Sequence, residues 1–343
     1  LHHSYMIPIV GTTQENLDEI LREVFPELAH FDTHEPLGWV ASSLPPGLPQ
    51  ANAYALAYAY GLFSPAQAAD GSWIFGSRIG VIRSWRPGQS RALRHDTGHR
   101  VTLDAVTILP DGTWLAGGDE STLLASTDAG KTWQSWRGDL PYGLIVDIAP
   151  VDDGILLTLV DDKDVLVYRG TPSARHWNKV ASYRTEFSFW TGMQGVAPQS
   201  WLVGDTYVTT LPSRRMGLYH LASGVSETLD LPGSIQVFSV SNDHVLRCRC
   251  TAAIAVNPYE SNDLGKTWKS STFSRYAALQ GMADATHGVT LYQDGLFKQA
   301  AMAYTSDGGR TWQKSVGGSG DLRHFFYSRD LKTVYASNDS DDL

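Results

Sequence analysis

Histidine and aspartate stand at one place where their spacing could hold a metal ion. His95 and His99 lie four residues apart in RHDTGHR, with Asp96 between them. Two histidines at this spacing share one face of a helix, but a zinc site needs further ligands, and Gly98 interrupts the segment. We therefore expect a solvated loop between repeats, with no metal and no cofactor.

Other candidate catalytic or ion-binding stretches are incomplete. DDKD, residues 161–164, lacks the glycine and distal glutamate of a calcium loop, so a charged turn between strands is the better interpretation. GGSG, residues 317–320, precedes a strand pattern rather than the helix that a phosphate loop requires. No G-x-S-x-G turn occurs in the sequence. These residues offer no visible catalytic set, and we expect a protein that is not an enzyme.

Composition indicates a strand-rich globular protein. The 343 residues are 42% apolar and 18% charged, with 32 glycines and 11 tryptophans. The net charge of -9 argues against a nucleic-acid partner, and the best apolar stretch, Ala53 to Phe63, is too short to span a membrane. We interpret Cys248 and Cys250 as small buried apolar residues; a redox pair is the alternative.

A motif of the form [ST]-x-D-x-G-x-T-W occurs three times, at 126–133, 261–268 and 305–312. In a turn, the carboxylate accepts backbone N–H groups, the glycine supplies positive φ, and the tryptophan buries a large area between neighbouring units. The motif therefore predicts a self-contained structural turn that needs no ligand. Its structural residues are Asp128, Gly130, Trp133, Asp263, Gly265, Trp268, Asp307, Gly309 and Trp312.

Hairpin patterns repeat along the chain at intervals of 41 to 46 residues. The motif turns, or decayed versions of them, fall about 20 residues after these hairpins, so each repeat has two hairpins and four strands. This predicts an all-β, seven-bladed β-propeller. The first apolar residues after the seven hairpin turns are Trp73, Trp114, Ile155, Trp201, Val245, Val289 and Val334.

The N-terminal region is predicted to close the ring, because the seventh repeat stops after one hairpin. Residues 6–10 and 37–42 are the candidate strands, and an amphipathic helix beginning near Thr12 lies between them. We divide the chain into a probable tag remnant (1–5), this closing segment (6–50) and the propeller (51–343). Met6 as the native start favours a cytoplasmic protein; a signal peptide removed in cloning implies a periplasmic or secreted one.

The repeated motif resembles the Asp-box, or BNR, repeat. The chain is thus similar to Asp-box propellers, among them sialidases, the sortilin ectodomain, photosystem II assembly factors and many bacterial BNR proteins. This resemblance covers about residues 52–343 and implies the fold, with the boxes away from any catalytic centre. Sialidases use an arginine triad that begins in an R-I-P motif; here Arg78-Ile79-Gly80 lacks the proline, and no triad can be assembled by spacing.

The loop face is where we expect a partner. The strand order places the turns between first and second strands, and between third and fourth strands, on one face of the disc. The connections between repeats, and between second and third strands, lie on the other face. Arginine and aromatic residues, which anchor protein interfaces, fall there. The predicted partner-binding residues are Arg100, Tyr142, Arg184, Trp190, Arg214, Arg275, Tyr276 and Arg323.

Two functions follow from this reading. The first is a non-catalytic scaffold that binds another protein, as an assembly factor, an adaptor or an immunity-type neutralising protein. The alternative is a glycan-binding or sialidase-like propeller, and Arg78 is the residue that best supports it.

Overall fold

The computed structural model describes about three fifths of the chain. The described residues are 63–68, 70–77, 80–86, 92–161, 164–171, 175–185, 198–211, 214–240, 244–252, 255–271, 277–282, 288–292, 301–307, 311–314, 324–327 and 334–337. They form β-strands and one short 3-10 helix, Asp119–Ser121. The predicted N-terminal helix and closing strands lie outside the described residues.

The strands form successive antiparallel sheets, as the hairpin pattern predicts. Sheet 1 contains β1 (Phe63–Gln67), β2 (Trp73–Gly76), β3 (Val81–Trp85) and β4 (Leu93–Asp96). Sheet 2 contains β5 (Ala105–Ile108), β6 (Trp114–Gly117), β7 (Leu123–Ser126) and β8 (Gln134–Ser135). Sheet 3 contains β9 (Leu144–Val151), β10 (Gly154–Asp161), β11 (Asp164–Gly170) and β12 (Trp177–Arg184). Sheet 4 contains β13 (Ser200–Val203), β14 (Thr206–Leu211), β15 (Arg215–His220) and β16 (Ser226–Asp230).

The later sheets continue the same meander. Sheet 5 contains β17 (Ser234–Val240), β18 (Leu246–Ala252), β19 (Ala255–Ser261) and β20 (Lys269–Ser270). Sheet 6 contains β21 (Ala277–Met282), β22 (Gly288–Tyr292), β23 (Ala301–Thr305) and β24 (Gln313–Lys314). Sheet 7 contains β25 (His324–Tyr327) and β26 (Val334–Ser337). Each strand pairs with the next one in the chain, so the described sheets are simple meanders.

The sheets stack face to face, and the core lies between them. The first strand of one sheet contacts the first strand of the next for β1 and β5, β5 and β9, β9 and β13, and β17 and β21. Four apolar clusters each join residues of two consecutive sheets, from sheets 1 and 2 through to sheets 4 and 5. Both faces of the middle strands of sheets 2, 3 and 4 are therefore covered.

Strand β10 shows how the sequence suits a strand that is covered on both faces. Its residues 155–160 are all buried. Ile155, Leu157 and Leu159 face the cluster shared with sheet 2, whereas Leu156 faces the cluster shared with sheet 4. A strand that is buried on both faces needs a nearly continuous apolar run rather than alternation, and GILLTLVD provides it.

The fourth hairpin differs from its predicted position. Trp201 lies in β13, the first strand of sheet 4, whereas the repeat interval places it after the turn. The turn is at Gly204 and Asp205. The repeat predicts a long loop between second and third strands from Asp205 to Met216, but the described residues of this segment include β14 and the start of β15. The connection from β12 to β13 is long, so the constant interval slips by one strand there.

The repeat also predicts a loop between second and third strands at Thr251 to Tyr259. The described residues of this segment are instead strand, the end of β18 and most of β19, which pair as far as Ala252 and Ala255. Proline is common in loops, but Pro258 lies at the centre of β19 and stands opposite Arg249 of β18 in the ladder.

Cys248 and Cys250 are buried, as expected, and they lie on the same face of β18. Their Cα atoms are 5.5 Å apart, and the two sulfurs lie against each other. Side chains at positions i and i+2 of a strand share a face, which brings the sulfurs together.

Candidate functional site

One edge of the stacked sheets carries both classes of connecting loop, as predicted. The loop face is defined here by the described residues 77, 80, 97–104, 118–122, 136–143, 185, 214 and 231–233. Its loops are bonded to one another through their backbones: Gly80 N donates to Val101 O at 2.7 Å, and Leu103 N donates to Ser77 O at 2.9 Å. Leu231 N donates to Arg214 O at 2.7 Å. This face is consequently a network rather than a set of independent loops.

Arg100 lies on the loop face but is held by a carboxylate. Its guanidinium donates to both oxygens of Asp96, at 2.8 and 3.3 Å. Burial disfavours ionisation of Asp96, but hydrogen bonds from Arg100 and Gly98 outweigh it and lower the pKa of that carboxyl. Arg100 therefore serves an internal ion pair, which makes it the weakest of the described partner-binding candidates.

Tyr142 is open to solvent. Its relative exposure is 53%. Among the described residues, Tyr142 is one of four large, mainly apolar side chains that are exposed. Its neighbours fix the backbone, because Ser121 Oγ donates to Pro141 O and Ser121 N donates to Gly143 O at 2.6 Å. An exposed ring on a rigid loop is suited to protein recognition.

Three arginines meet where sheets 3 and 4 reach the loop face. The side chain of Arg184 is 74% exposed, and among the described residues it makes a 3.5 Å contact with Asp164. Arg215 donates to the backbone oxygen of Arg184 at 3.1 Å, and Arg214 donates to Pro232 O at 3.3 Å. Arg214 and Arg184 were predicted as partner-binding residues, and the structure brings them into one sector.

The other predicted partner-binding residues lie outside the described residues. They are Trp190, Arg275, Tyr276 and Arg323. Arg78, the residue that best supports the alternative of a glycan-binding propeller, also lies outside the described residues.

One loop-face feature was not found from the sequence. Glu120 and Ser121 both have left-handed backbone conformations, with φ of 59° and 55°. Neither is glycine, the residue that adopts this conformation most cheaply. The sequence GDES carries no signal for it, because the conformation is imposed by contacts with loops that are distant in the chain.

The motif turns lie on the opposite face and are bonded internally. In the first, Asp128 accepts Thr132 N at 2.9 Å, Thr132 Oγ1 at 2.7 Å and Ser126 Oγ at 2.8 Å. These hydrogen bonds, led by the one from the Thr132 side chain, lower the pKa of Asp128 to about 2.

The other motif turns repeat this geometry. Asp263 accepts Thr267 N and Ser261 Oγ, and Asp307 accepts Thr311 N and Thr305 Oγ1, at 2.7 to 2.9 Å. The pKa of Asp263 is also lowered to about 2, with the Thr267 side chain as the main cause. The carboxylates are occupied by their own turns, which agrees with a structural role. Gly309 lies outside the described residues.

The motif glycines also contact the preceding sheet. A Cβ added at Gly130 would lie 2.7 Å from both His95 Nδ1 and Trp114 Cζ3, and one at Gly265 would lie 1.9 Å from Met216 Cε. Trp133 packs in the cluster between sheets 1 and 2, and Trp268 in the cluster between sheets 4 and 5. Each turn therefore joins its own sheet to the previous one.

His95 is a structural residue in this arrangement. It lies in β4 rather than in the loop that the sequence predicts, and its Nε2 is 2.7 Å from Ser84 Oγ. Its ring meets Trp114 edge-on, and burial lowers its pKa. Across the described ranges, no three histidine, cysteine, aspartate or glutamate side chains gather where they could hold a metal ion.

A buried polar network joins sheets 3 and 4 near their inner strands. Tyr207 donates to Asp147 Oδ2 at 2.5 Å, and Thr158 Oγ1 lies 2.8 Å from the Tyr207 hydroxyl. Ser200 Oγ lies 2.9 Å from Thr158 Oγ1. Asp147 as a residue keeps some exposed surface, but its carboxyl is enclosed, and burial raises the pKa of Asp147 to about 6.

Comparison with solved structures identifies the architecture. YCF48 bound to D1 peptide superposes with a TM-score of 0.60 at 14% identity, covering 78% of this chain and 87% of that one. YCF48 from Cyanidioschyzon merolae gives 0.57 at 15% identity, covering 79% and 90%. The chain has a β-propeller fold. Each four-stranded sheet described above is thus a blade.

Sequence comparison adds no closer relationship. No family model matches the chain, and no curated protein matches it. No helix among the described residues has the length and apolar character to cross a membrane.

Proposed function

We propose that this chain is a non-catalytic, seven-bladed propeller with Asp-box turns, and that it binds a protein partner on its loop face. The observation that carries the proposal is the loop face itself. Its backbone network holds the loop that carries the exposed Tyr142, and the β11–β12 ladder holds the exposed Arg184. Fixed aromatic and arginine side chains lose little entropy on binding, which suits them to protein interfaces.

The similarity to YCF48 supports this proposal. One of these solved structures is YCF48 bound to D1 peptide. At 14% identity this supports a shared architecture, and the transfer of a protein-binding role to this chain is our proposal.

The described chemistry agrees with a scaffold. The Tyr207 hydroxyl contacts a carboxylate, but Tyr207 is 0% exposed and cannot reach a substrate as a nucleophile. His95 is enclosed by Ser84 and Trp114, and the motif aspartates are bonded within their own turns. These polar groups are all engaged by bonds within a turn, within a blade or between blades.

Affinity capture from source cells, followed by mass spectrometry, tests the proposal. The Arg184→Glu/Arg214→Glu variant should reduce recovery of the main protein partner by about tenfold or more, because both charges lie in one sector of the loop face. The matched control is Lys131→Glu/Lys266→Glu, two charge reversals in exposed positions of the motif turns on the opposite face. Equal loss of partner in both variants, or no partner for the unmodified protein, would refute the proposal.

A further inference from the structure

The loop that joins β6 to β7 holds a glutamate in a conformation that glutamate disfavours. Glu120 has φ 59° and ψ 27°, in the left-handed region, and the next residue, Ser121, is left-handed too. Glycine adopts this conformation without steric cost. A side chain at position 120 therefore costs some stability.

Contacts on both sides of this loop fix it in place. Asp119 N donates to Thr102 O at 3.0 Å, and the Asp119 carboxylate accepts Thr102 N at 3.2 Å. On the other side, Ser121 is buried and donates to Pro141 O and Gly143 O. The neighbours of Glu120 thus carry the structural bonds.

Glu120 itself makes none of these bonds. Its carboxylate has no hydrogen bond or ion pair within the part of the chain that the structure describes, and the residue is partly exposed. The bonds from Ser121 place its backbone beside that of residues 141–143, where the exposed Tyr142 stands. An unpaired carboxylate and an open aromatic ring are therefore displayed from adjacent, immobilised loops.

We propose that Glu120 and Tyr142 form a docking point for a basic side chain, arginine or lysine, of the protein partner. The inference rests on the proposed function and names the chemistry that this part of the loop face recognises. A carboxylate pairs with a guanidinium or ammonium group, and an aromatic face attracts the same cation. Positively charged partners are also favoured over long range, because the chain carries a net charge of -9.

Selection from random peptides displayed on phage tests the proposal without knowledge of the partner. The immobilised full chain should enrich peptides that contain arginine or lysine. Glu120→Gly should weaken binding of the enriched peptides by about tenfold or more, and Tyr142→Ala should do the same, whereas Tyr142→Phe should retain binding because the ring remains.

The Glu120→Gly variant separates a binding role from a structural one. Glycine relieves the left-handed conformation, so thermal stability should be unchanged or raised while peptide binding falls. Ala129→Gly is the matched control, since Ala129 is also left-handed, with φ 57°, but lies in the motif turn on the opposite face. It should leave peptide binding unchanged.

Three results would overturn the inference: enrichment of acidic peptides, undiminished binding by Glu120→Gly, or no enrichment at all. If one of these occurs while Arg184→Glu/Arg214→Glu still loses a captured protein, the proposed scaffold function stands and only the basic docking point fails. If neither experiment finds a partner, both proposals fail.

Discussion

At the scale of single residues, several polar side chains in this protein link neighbouring blades. Asp147, Thr158 and Tyr207 form one such link, and His95 forms another through its edge-on contact with Trp114. A buried carboxylate is a costly link, because enclosure opposes its ionisation. Its titration therefore gives a direct test of whether the network exists in solution.

Asp147→Asn should change the pH dependence of stability. The folded-state pKa of about 6 exceeds the ordinary value of 3.8, so the native state holds the proton more tightly than the unfolded chain. Stability conferred by the protonated form is complete below about pH 4 and is lost as pH rises through 6, a loss of about 3 kcal/mol at most. Urea unfolding at pH 4.5 and 7.5 should show a smaller difference for the asparagine variant.

The control for this measurement is Asp152→Asn, in an exposed turn of the same blade. It should follow the unmodified protein at both pH values. If Asp147→Asn does so too, the carboxyl is not enclosed as described.

Gly130→Ala should destabilise the protein more than Gly112→Ala. Both glycines have positive φ, 83° and 87°, so both substitutions bear the same backbone cost. Only at Gly130 does the added methyl meet His95 and Trp114; nothing lies within 4 Å at Gly112. We expect an extra loss of about 1–3 kcal/mol at Gly130. Chemical denaturation measures the difference, and equal effects would show that the turn does not contact the preceding blade.

At the scale of elements, the motif turn and the strand after it vary together. The strands that follow motif turns, β8, β20 and β24, have two residues each. Those that follow turns without the motif, β4, β12 and β16, have four, eight and five. In the motif turn, hydrogen bonds and the tryptophan fix the chain locally, whereas the other blades rely on a longer outer ladder. The turn thus substitutes for strand pairing at the edge.

Thr132→Val should raise the pKa of Asp128 from about 2 towards its ordinary value. The Thr132 hydroxyl, which donates at 2.7 Å, is the largest cause of the lowering, and valine keeps the shape of threonine without the donor. NMR titration of the aspartate carboxyl carbons measures it. Thr267→Val should shift Asp263 and leave Asp128 unchanged, which makes each variant the control for the other. An unmoved Asp128 would contradict the described turn.

At the scale of the whole molecule, blades are joined by close apolar contact as well as by polar links. A Cβ added at Gly217, in β15, would lie 2.5 to 2.7 Å from the ring of Tyr183, in β12 of the preceding blade. The propeller therefore depends on complementary surfaces between blades, and a glycine without unusual φ is required only because of its neighbour.

A double-mutant cycle on Gly217→Ala and Tyr183→Leu tests this coupling. Gly217→Ala alone should cost about 1–3 kcal/mol, because the methyl collides with the ring. In the Tyr183→Leu background the cost of the second substitution should be smaller, with an interaction energy of about 1 kcal/mol or more in the free energy of unfolding. Additive effects would mean that these two blades do not pack as described.

The sequence by itself determined the repeat, the strand order and the chemistry of the motif turns. These are local properties: a carboxylate, a glycine and a hydroxyl within eight residues bond to one another wherever the turn is placed. It also assigned Tyr142, Arg184 and Arg214 to one face, because antiparallel order alone alternates the loops between the two faces.

Only the tertiary structure decided what depends on contact between distant segments. The long β12–β13 connection moved the fourth hairpin off the repeat interval. The left-handed conformation of Glu120 and the raised pKa of Asp147 arise where one loop or blade contacts another. The same is true at Gly130 and Gly217, where a neighbouring side chain leaves no room for a Cβ atom. No periodicity records such contacts, since the residues that make them are separated by 20 to 60 positions in the chain.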